Sequence, residues 1–233
     1  MSSSRRAFMA TLGAATALVA APRSISALAS CPFRLSVIND EISDDFDHAC
    51  NVAANDFGLQ WIEIRGMWGK NIAQMNDADV DRALGVLHKY KLRVTDIASP
   101  LYKVHWPGAP QSKMGLPQDQ FHADFDFKRQ DEVLSRCIEL CKAFQTDRIR
   151  CFDFWRLENV APYREAINDK LRQAARECAK HNIILLLENE MDCNTGSGKE
   201  AAVTLSQIQE PNFMLNWDPG NSATFPGDTP YPN

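Results

Sequence analysis

Two apolar runs in the second half of the chain each end in an acidic residue. Ile183-Ile184-Leu185-Leu186-Leu187 runs into Glu188-Asn189, and Phe213-Met214-Leu215-Asn216-Trp217 runs into Asp218-Pro219-Gly220-Asn221. A short apolar run capped by a carboxylate reads as a buried parallel strand that delivers a functional group at its C-terminal end. Two such carboxylates on successive strands are hard oxygen donors suited to a divalent cation. Each acid also has a structural reading. Glu188 can pair with a buried arginine, and Asp218 can cap the turn at Pro219-Gly220. Glu190, two residues past Glu188, competes for the ligand role.

Other candidates sit at earlier strand ends. Glu63 and Arg65 close the run Trp61-Ile62-Glu63-Ile64-Arg65. Alternation puts them on one side and Ile62 and Ile64 on the other. They either pair with each other or contact a substrate's hydroxyls. Lys103 follows the run 92–98 and suits an acidic or hydroxyl-rich ligand, or is a solvated lysine.

These residues need a frame, and the chain alternates strand and helix patterns. Strands are predicted over 33–38, 60–65, 92–98, 148–154, 183–187 and 213–217. Helices are predicted over 44–57, 77–90, 127–144, 162–181 and 199–209. Ser43 is the expected N-cap of the first helix and Gly58 its stop, with Pro162 at the start of the fourth. The long loop 99–127, rich in Pro, Gly and aromatics, is expected to serve the site. Regular βα alternation implies a parallel sheet with right-handed crossovers. No glycine-rich dinucleotide loop follows the first strand, where Asn39-Asp40-Glu41-Ile42-Ser43 stands instead. The expected fold class is α/β, a (β/α)8 TIM barrel. A full barrel takes about 250 residues, so about six of its eight units are expected in residues 30–233. An unclosed parallel sheet exposes two edges, so association with another chain is expected.

The chain has 233 residues, 45% hydrophobic and 24% charged, enough for a sizeable core. Residues 1–29 read as an export signal. Ser4-Arg5-Arg6-Ala7-Phe8-Met9 resembles the twin-arginine motif, a mild apolar stretch follows, and Ala27-Leu28-Ala29 fits a cleavage site. That implies periplasmic or other exported localisation. Leu28-Ala29-Ser30-Cys31 also resembles a lipobox, which would leave a lipid anchor on Cys31. The formal net charge is −5, and the chain without its three signal arginines carries −8. An acidic chain argues against a nucleic-acid partner. Seven cysteines, an odd count with no CxxC, do not form a disulfide framework. Cys137 and Cys141 lie one helical turn apart and either seed a metal site or pack as small buried residues.

Several stretches together resemble the xylose isomerase-like TIM barrels described as sugar phosphate isomerases/epimerases. They are Val37-Ile38-Asn39-Asp40-Glu41-Ile42-Ser43-Asp44-Asp45, Gly58-Leu59-Gln60-Trp61-Ile62-Glu63-Ile64-Arg65, Trp68-Gly69-Lys70-Asn71, Ala98-Ser99-Pro100-Leu101-Tyr102-Lys103, Leu187-Glu188-Asn189 and Asp218-Pro219-Gly220-Asn221. The resemblance implies one divalent ion (Mn, Mg, Co or Zn), with Glu188 and Asp218 as two of four ligands. The matching His and last Glu would fall past Asn233. It implies proton transfer beside a carbonyl through an enediolate, with Glu188 moving a proton. The implied partner is a small sugar or sugar derivative, with Arg65, Lys103, Glu63, Trp68 and Asn189 as candidate substrate contacts. Trp68, Tyr102 and Trp106 suit a sugar face or loop packing, and His105 and His122 suit the site or the surface. Alternatives on the same barrel are a sugar or inosose lyase/dehydratase and a non-catalytic carbohydrate-binding protein. An abasic-site endonuclease is disfavoured by net charge and histidine placement.

Overall fold

The computed structural model describes residues 33–114 and 119–228. The export-signal, cleavage-site and Cys31 readings lie outside the described residues. The described residues from Leu35 onward form one compact unit.

Its strands are β1 (Trp61–Ile64), β2 (Gly66–Met67), β3 (Lys70–Asn71), β4 (Arg93–Leu101), β5 (Arg148–Cys151), β6 (Ile184–Glu188) and β7 (Phe213–Asn216). Its helices are α1 (Asn39–Ile42), α2 (Phe46–Asn51), α3 (Asp77–Tyr90), α4 (Gln130–Phe144), α5 (Arg164–Ala179), α6 (Gly198–Gln207) and α7 (Pro219–Thr224). Five strands form one parallel sheet in the order β1-β4-β5-β6-β7. β2 and β3 make a separate antiparallel hairpin.

The period-2 pattern decides which face packs. Ile62, Ile64, Ile149, Leu185 and Leu187 are fully buried on one face. Helix α4 covers β4 and β5 with Val133, Cys137, Cys141 and Phe144, spaced three or four apart. Helix α5 covers β6 with Ile167, Leu171, Ala174 and Cys178. Each such leucine or isoleucine contributes about 1.5–3 kcal/mol of gross burial. The opposite face carries Glu63, Arg150 and Glu188, which meet the cavity described below.

Local chemistry sets the ends. Asn76 with Asp79 and Ser197 with Glu200 form capping boxes that start α3 and α6. Lys91 and Gln145 close α3 and α4 in the left-handed region, at φ 57° and 54°.

The structure changes several sequence-based boundaries. The strand expected over 33–38 reduces to one parallel bridge, Ile38 with Glu63, plus Glu63 N–H donating to the Val37 carbonyl at 2.9 Å. That segment has a single strand neighbour among the described residues, and Leu35 is exposed, so nothing extends the pairing. The helix expected from 44 starts at Phe46, because Asp45 rather than Ser43 caps it. It ends in a wide turn, Val52–Asp56, before Gly58 at φ 65°. The third strand runs on to Leu101, held by Phe152 N–H donating to the Leu101 carbonyl at 2.9 Å. Pro100, which has no N–H, falls at a break in the register between Ile97 and Leu101. Helix α5 begins after Tyr163, so Pro162 precedes its cap.

The six described cysteines are free and buried. Burial pushes the Cys137 thiol up to about 12 and raises Cys141 as well, so both pack as small apolar residues. Among the described residues no group of three His, Cys, Asp or Glu side chains is placed to hold a metal.

Candidate functional site

A cavity of about 580 Å³ opens at the C-terminal ends of the strands. Residues from β1, β5, β6, β7 and the segment after it line it, together with Lys103, Asp119 and Phe121 of the long loop.

Glu188 ends β6 and is 8% exposed. The β6–β7 register sets it opposite Asn216, whose Nδ2 donates to Glu188 Oε2 at 2.8 Å. Arg150 Nη1 reaches the same oxygen at 3.4 Å. Oε1 takes neither bond. Glu188 is thus both the partner of a buried arginine and a wall of the cavity.

Arg150 is a residue the sequence reading passed over. It lies on β5, is 1% exposed, and donates to the carbonyls of Ala98 at 3.1 Å and Ser99 at 3.4 Å. The available signal was Arg148-Ile149-Arg150, where alternation inside a strand sends both arginines to one face.

Asp218 combines its two sequence readings in a similar way. It lines the cavity and caps α7, with Oδ1 accepting from Asn221 N–H at 2.9 Å. Asn189, fully buried, clips it: Asp218 N–H donates to Asn189 Oδ1 at 2.7 Å and Asn189 Nδ2 donates to the Asp218 carbonyl at 2.8 Å. Asn189 is therefore not a cavity wall. Its amide is used to hold Asp218 beside the end of β6.

Glu63 lines the cavity, but it does not pair with Arg65. Arg65 Nε donates to both oxygens of Asp40 at 3.0 Å, and its Nη2 donates to Glu41 at 2.6 Å. The turn after β1 aims Arg65 at α1, which sequence separation hid. Glu63 Oε1 is buried without a hydrogen-bond partner. Burial, then Asp96 and Glu188, push its carboxyl up to about 8, against the pull of Arg150.

A stability consequence follows. The unfolded Glu63 ionises near its ordinary value, while the folded one keeps its proton to about 8. Its contribution is fully present below about 4.5 and is lost as pH rises through 8. Glu63→Gln is therefore expected to unfold at a higher temperature than wild type at pH 9, with the difference shrinking toward pH 5. Equal pH dependence of the two melting curves would refute it.

Lys103 is nearly fully buried. Its Nζ sits 2.9 Å from Glu190 Oε2 and over the rings of Phe121, Phe152 and Trp155 at 3.8, 4.7 and 5.4 Å. Burial raises the Glu190 carboxyl, and Lys103 opposes that rise. The segment carrying Glu190 is anchored by buried Asp153, which accepts from Thr195 Oγ1 at 2.7 Å and Thr195 N–H at 2.8 Å and pairs with Arg164 at 2.9 Å.

The remaining candidates lie off the cavity wall. Trp68 packs edge-on against Phe46, with Arg82 stacked 3.9 Å from its ring centroid. Tyr102 and Trp106 pack on Phe154, each with centroids 4.9 Å away. His105 and His122 are exposed. The long loop instead contributes Phe121, in the left-handed region at φ 56°, to the cavity wall. Sequence reasoning weighed Tyr102, Trp106, His105 and His122 of this loop and missed it, since nothing local marks one phenylalanine as inward.

Parallel βα units with a carboxylate-rich cavity at the strand C-termini define an α/β barrel-type protein. The family model described as xylose isomerase-like TIM barrel matches residues 52–232, and the chain belongs to that family. Solved structures agree on the fold. The D-allulose 3-epimerase of Methylomonas sp. in complex with D-allulose is 18% identical, with TM-score 0.58, covering 84% of this chain and 66% of that one. The probable 3-DHS dehydratase AsbF of Bacillus anthracis is 20% identical, with TM-score 0.56, covering 80% and 63%. A xylose isomerase-like TIM barrel protein of Mycobacterium smegmatis in complex with magnesium is 15% identical, with TM-score 0.56, covering 77% and 58%. The chain thus spans less than two thirds of the length of all three. No curated protein gives a significant match. Two of these structural neighbours are thus described as an epimerase and a probable dehydratase.

Proposed function

We propose that this chain is a divalent-metal-dependent isomerase or epimerase of a small sugar, with Glu188 as the proton-moving group. One observation carries the reading: Glu188 and Asp218 stand at the ends of adjacent parallel strands and line one cavity.

The donor set fits a hard cation such as Mn, Mg, Co or Zn. Each acid commits one oxygen to the protein, Glu188 Oε2 to Arg150 and Asn216 and Asp218 Oδ1 to the α7 cap. When bound, the cation would polarise the sugar carbonyl as a Lewis acid. The chain's own residues do the rest. Arg150 and Asn216 fix the Glu188 carboxylate from one side, so its second oxygen is held in one orientation for a proton on the carbon beside the carbonyl. Asn189 holds the Asp218 backbone in register with it.

The full chain, incubated with D-allulose or D-fructose and Mn²⁺ in D₂O, is expected to incorporate deuterium at carbon 3 and form the epimer. Excess chelator is expected to stop both. No exchange with any of the four metals sinks the reading, and a dehydrated product moves it to the lyase alternative. The twin-arginine-like segment adds export to this proposal. A periplasmic form whose N-terminal sequence begins near Ser30 is the expected result, and a purely cytoplasmic full-length form would remove it.

A further inference from the structure

We propose that this cavity selects an uncharged carbohydrate and rejects phosphorylated or carboxylated ones, because Phe121 and paired carboxylates withhold all three of its cations from an anionic group. The inference rests on the cavity being the substrate site and adds the substrate's charge class.

Among the described residues, Arg65, Lys103 and Arg150 are the cations of the cavity wall. Each is already matched. Arg65 holds both oxygens of Asp40 at 3.0 Å and Glu41 at 2.6 Å. Lys103 holds Glu190 at 2.9 Å. Arg150 divides its donors among Glu188 and the carbonyls of Ala98 and Ser99. The single ring of Phe121 then lies against all three, with its centroid 4.6 Å from the Arg65 guanidinium carbon, 3.8 Å from Lys103 Nζ and 5.1 Å from the Arg150 guanidinium carbon. The ring quadrupole satisfies cationic faces that would otherwise attract a ligand's negative charge.

An anionic group would have to displace these partners and would also meet a wall lined by seven acidic side chains. Like charges brought together in a partly desolvated site are strongly disfavoured. The N-terminus of α7, which begins at the cavity, offers no substitute, since Asp218 Oδ1 already accepts from its Asn221 amide. Hydroxyl groups face no such barrier. They donate to carboxylate oxygens, and Phe121, Trp217 and Pro219 offer apolar surface to a sugar's C–H face.

The test titrates the full chain with inorganic phosphate, with D-fructose and with D-fructose 6-phosphate, read by calorimetry and by tryptophan fluorescence. Trp217 lines the cavity and Trp155 stands beside Lys103, so both report on it. Wild type is expected to show no saturable phosphate binding at millimolar concentration. The 6-phosphate is expected to bind at least about tenfold more weakly than the free sugar. A chain carrying D40N, E41Q and F121A releases Arg65 and is expected to gain saturable phosphate binding. Saturable phosphate binding to wild type that R65M or K103M abolishes overturns the proposal, as does a 6-phosphate that binds more tightly than the free sugar. If phosphate is excluded and no neutral sugar binds, the isomerase reading falls while the anion exclusion stands.

Discussion

Replacing Arg150 by methionine is expected to lower the unfolding free energy by about 3–5 kcal/mol, the range for breaking a buried ion pair by removing one partner. The guanidinium is fully enclosed between β4, β5 and β6 and is the positive charge that Glu63, Asp96 and Glu188 share. Burial raises the carboxyls of Glu63 and Asp96, and Arg150 opposes that rise in both. Methionine fills the volume but leaves three carboxylates facing one another. Glu63 and Asp96 would then hold their protons more tightly still in the folded state. The loss should therefore grow as pH rises from about 5 to 8. Urea unfolding at both pH values measures it. A difference from wild type under about 1 kcal/mol at pH 8, the scale of an exposed ion pair, would show that Arg150 is not the shared counter-charge. The double change R150M with E188Q is expected to recover part of the loss, because the two residues are in contact.

Glu188→Gln is expected to reduce turnover by about 10²–10⁴-fold, the usual weight of a general base. Glutamine keeps the shape and an oxygen acceptor for Asn216 and Arg150, so the fold should survive. What it loses is the proton-accepting charge and a hard anionic donor, so Mn²⁺ affinity measured by calorimetry should fall as well. Glu190→Gln is the control. Glu190 is committed to Lys103 at 2.9 Å, and its loss should weaken the cavity wall without removing proton transfer. Turnover of E188Q within about tenfold of wild type would shift the base to another group.

Much of the frame is legible in one dimension. The run Ile183–Leu187 has no polar residue, so it becomes a central strand wherever the chain places it. The alternation in Trp61-Ile62-Glu63-Ile64 sends its glutamate away from the helices before any partner is known. Helix α4 follows from apolar residues spaced three and four apart, whereas the cap expected at Ser43 is taken by Asp45. These features depend on neighbours within a few residues, and local physics suffices for them.

The cavity's interior was legible only in part. Glu188 and Asp218 stand out because each follows an apolar run. Nothing near Arg65 in sequence shows that its partners are Asp40 and Glu41, twenty-five and twenty-four residues away. Trp68 and Tyr102 have the chemistry of sugar-stacking residues, yet their neighbours Phe46 and Phe154 claim those faces.

By itself, then, the amino-acid order determined the strand and helix periods, the parallel class of the sheet and the acids at its strand ends. Only the tertiary structure decided that Arg150 sits beneath Glu188, that Asn189 clips Asp218, and that Phe121 lies against three cations at once. The reason is physical. Periodicity is set by backbone geometry that every residue carries. Charge pairing in a cavity depends on which distant side chains the folded sheet brings within about 4 Å, where low dielectric makes the pairing strong.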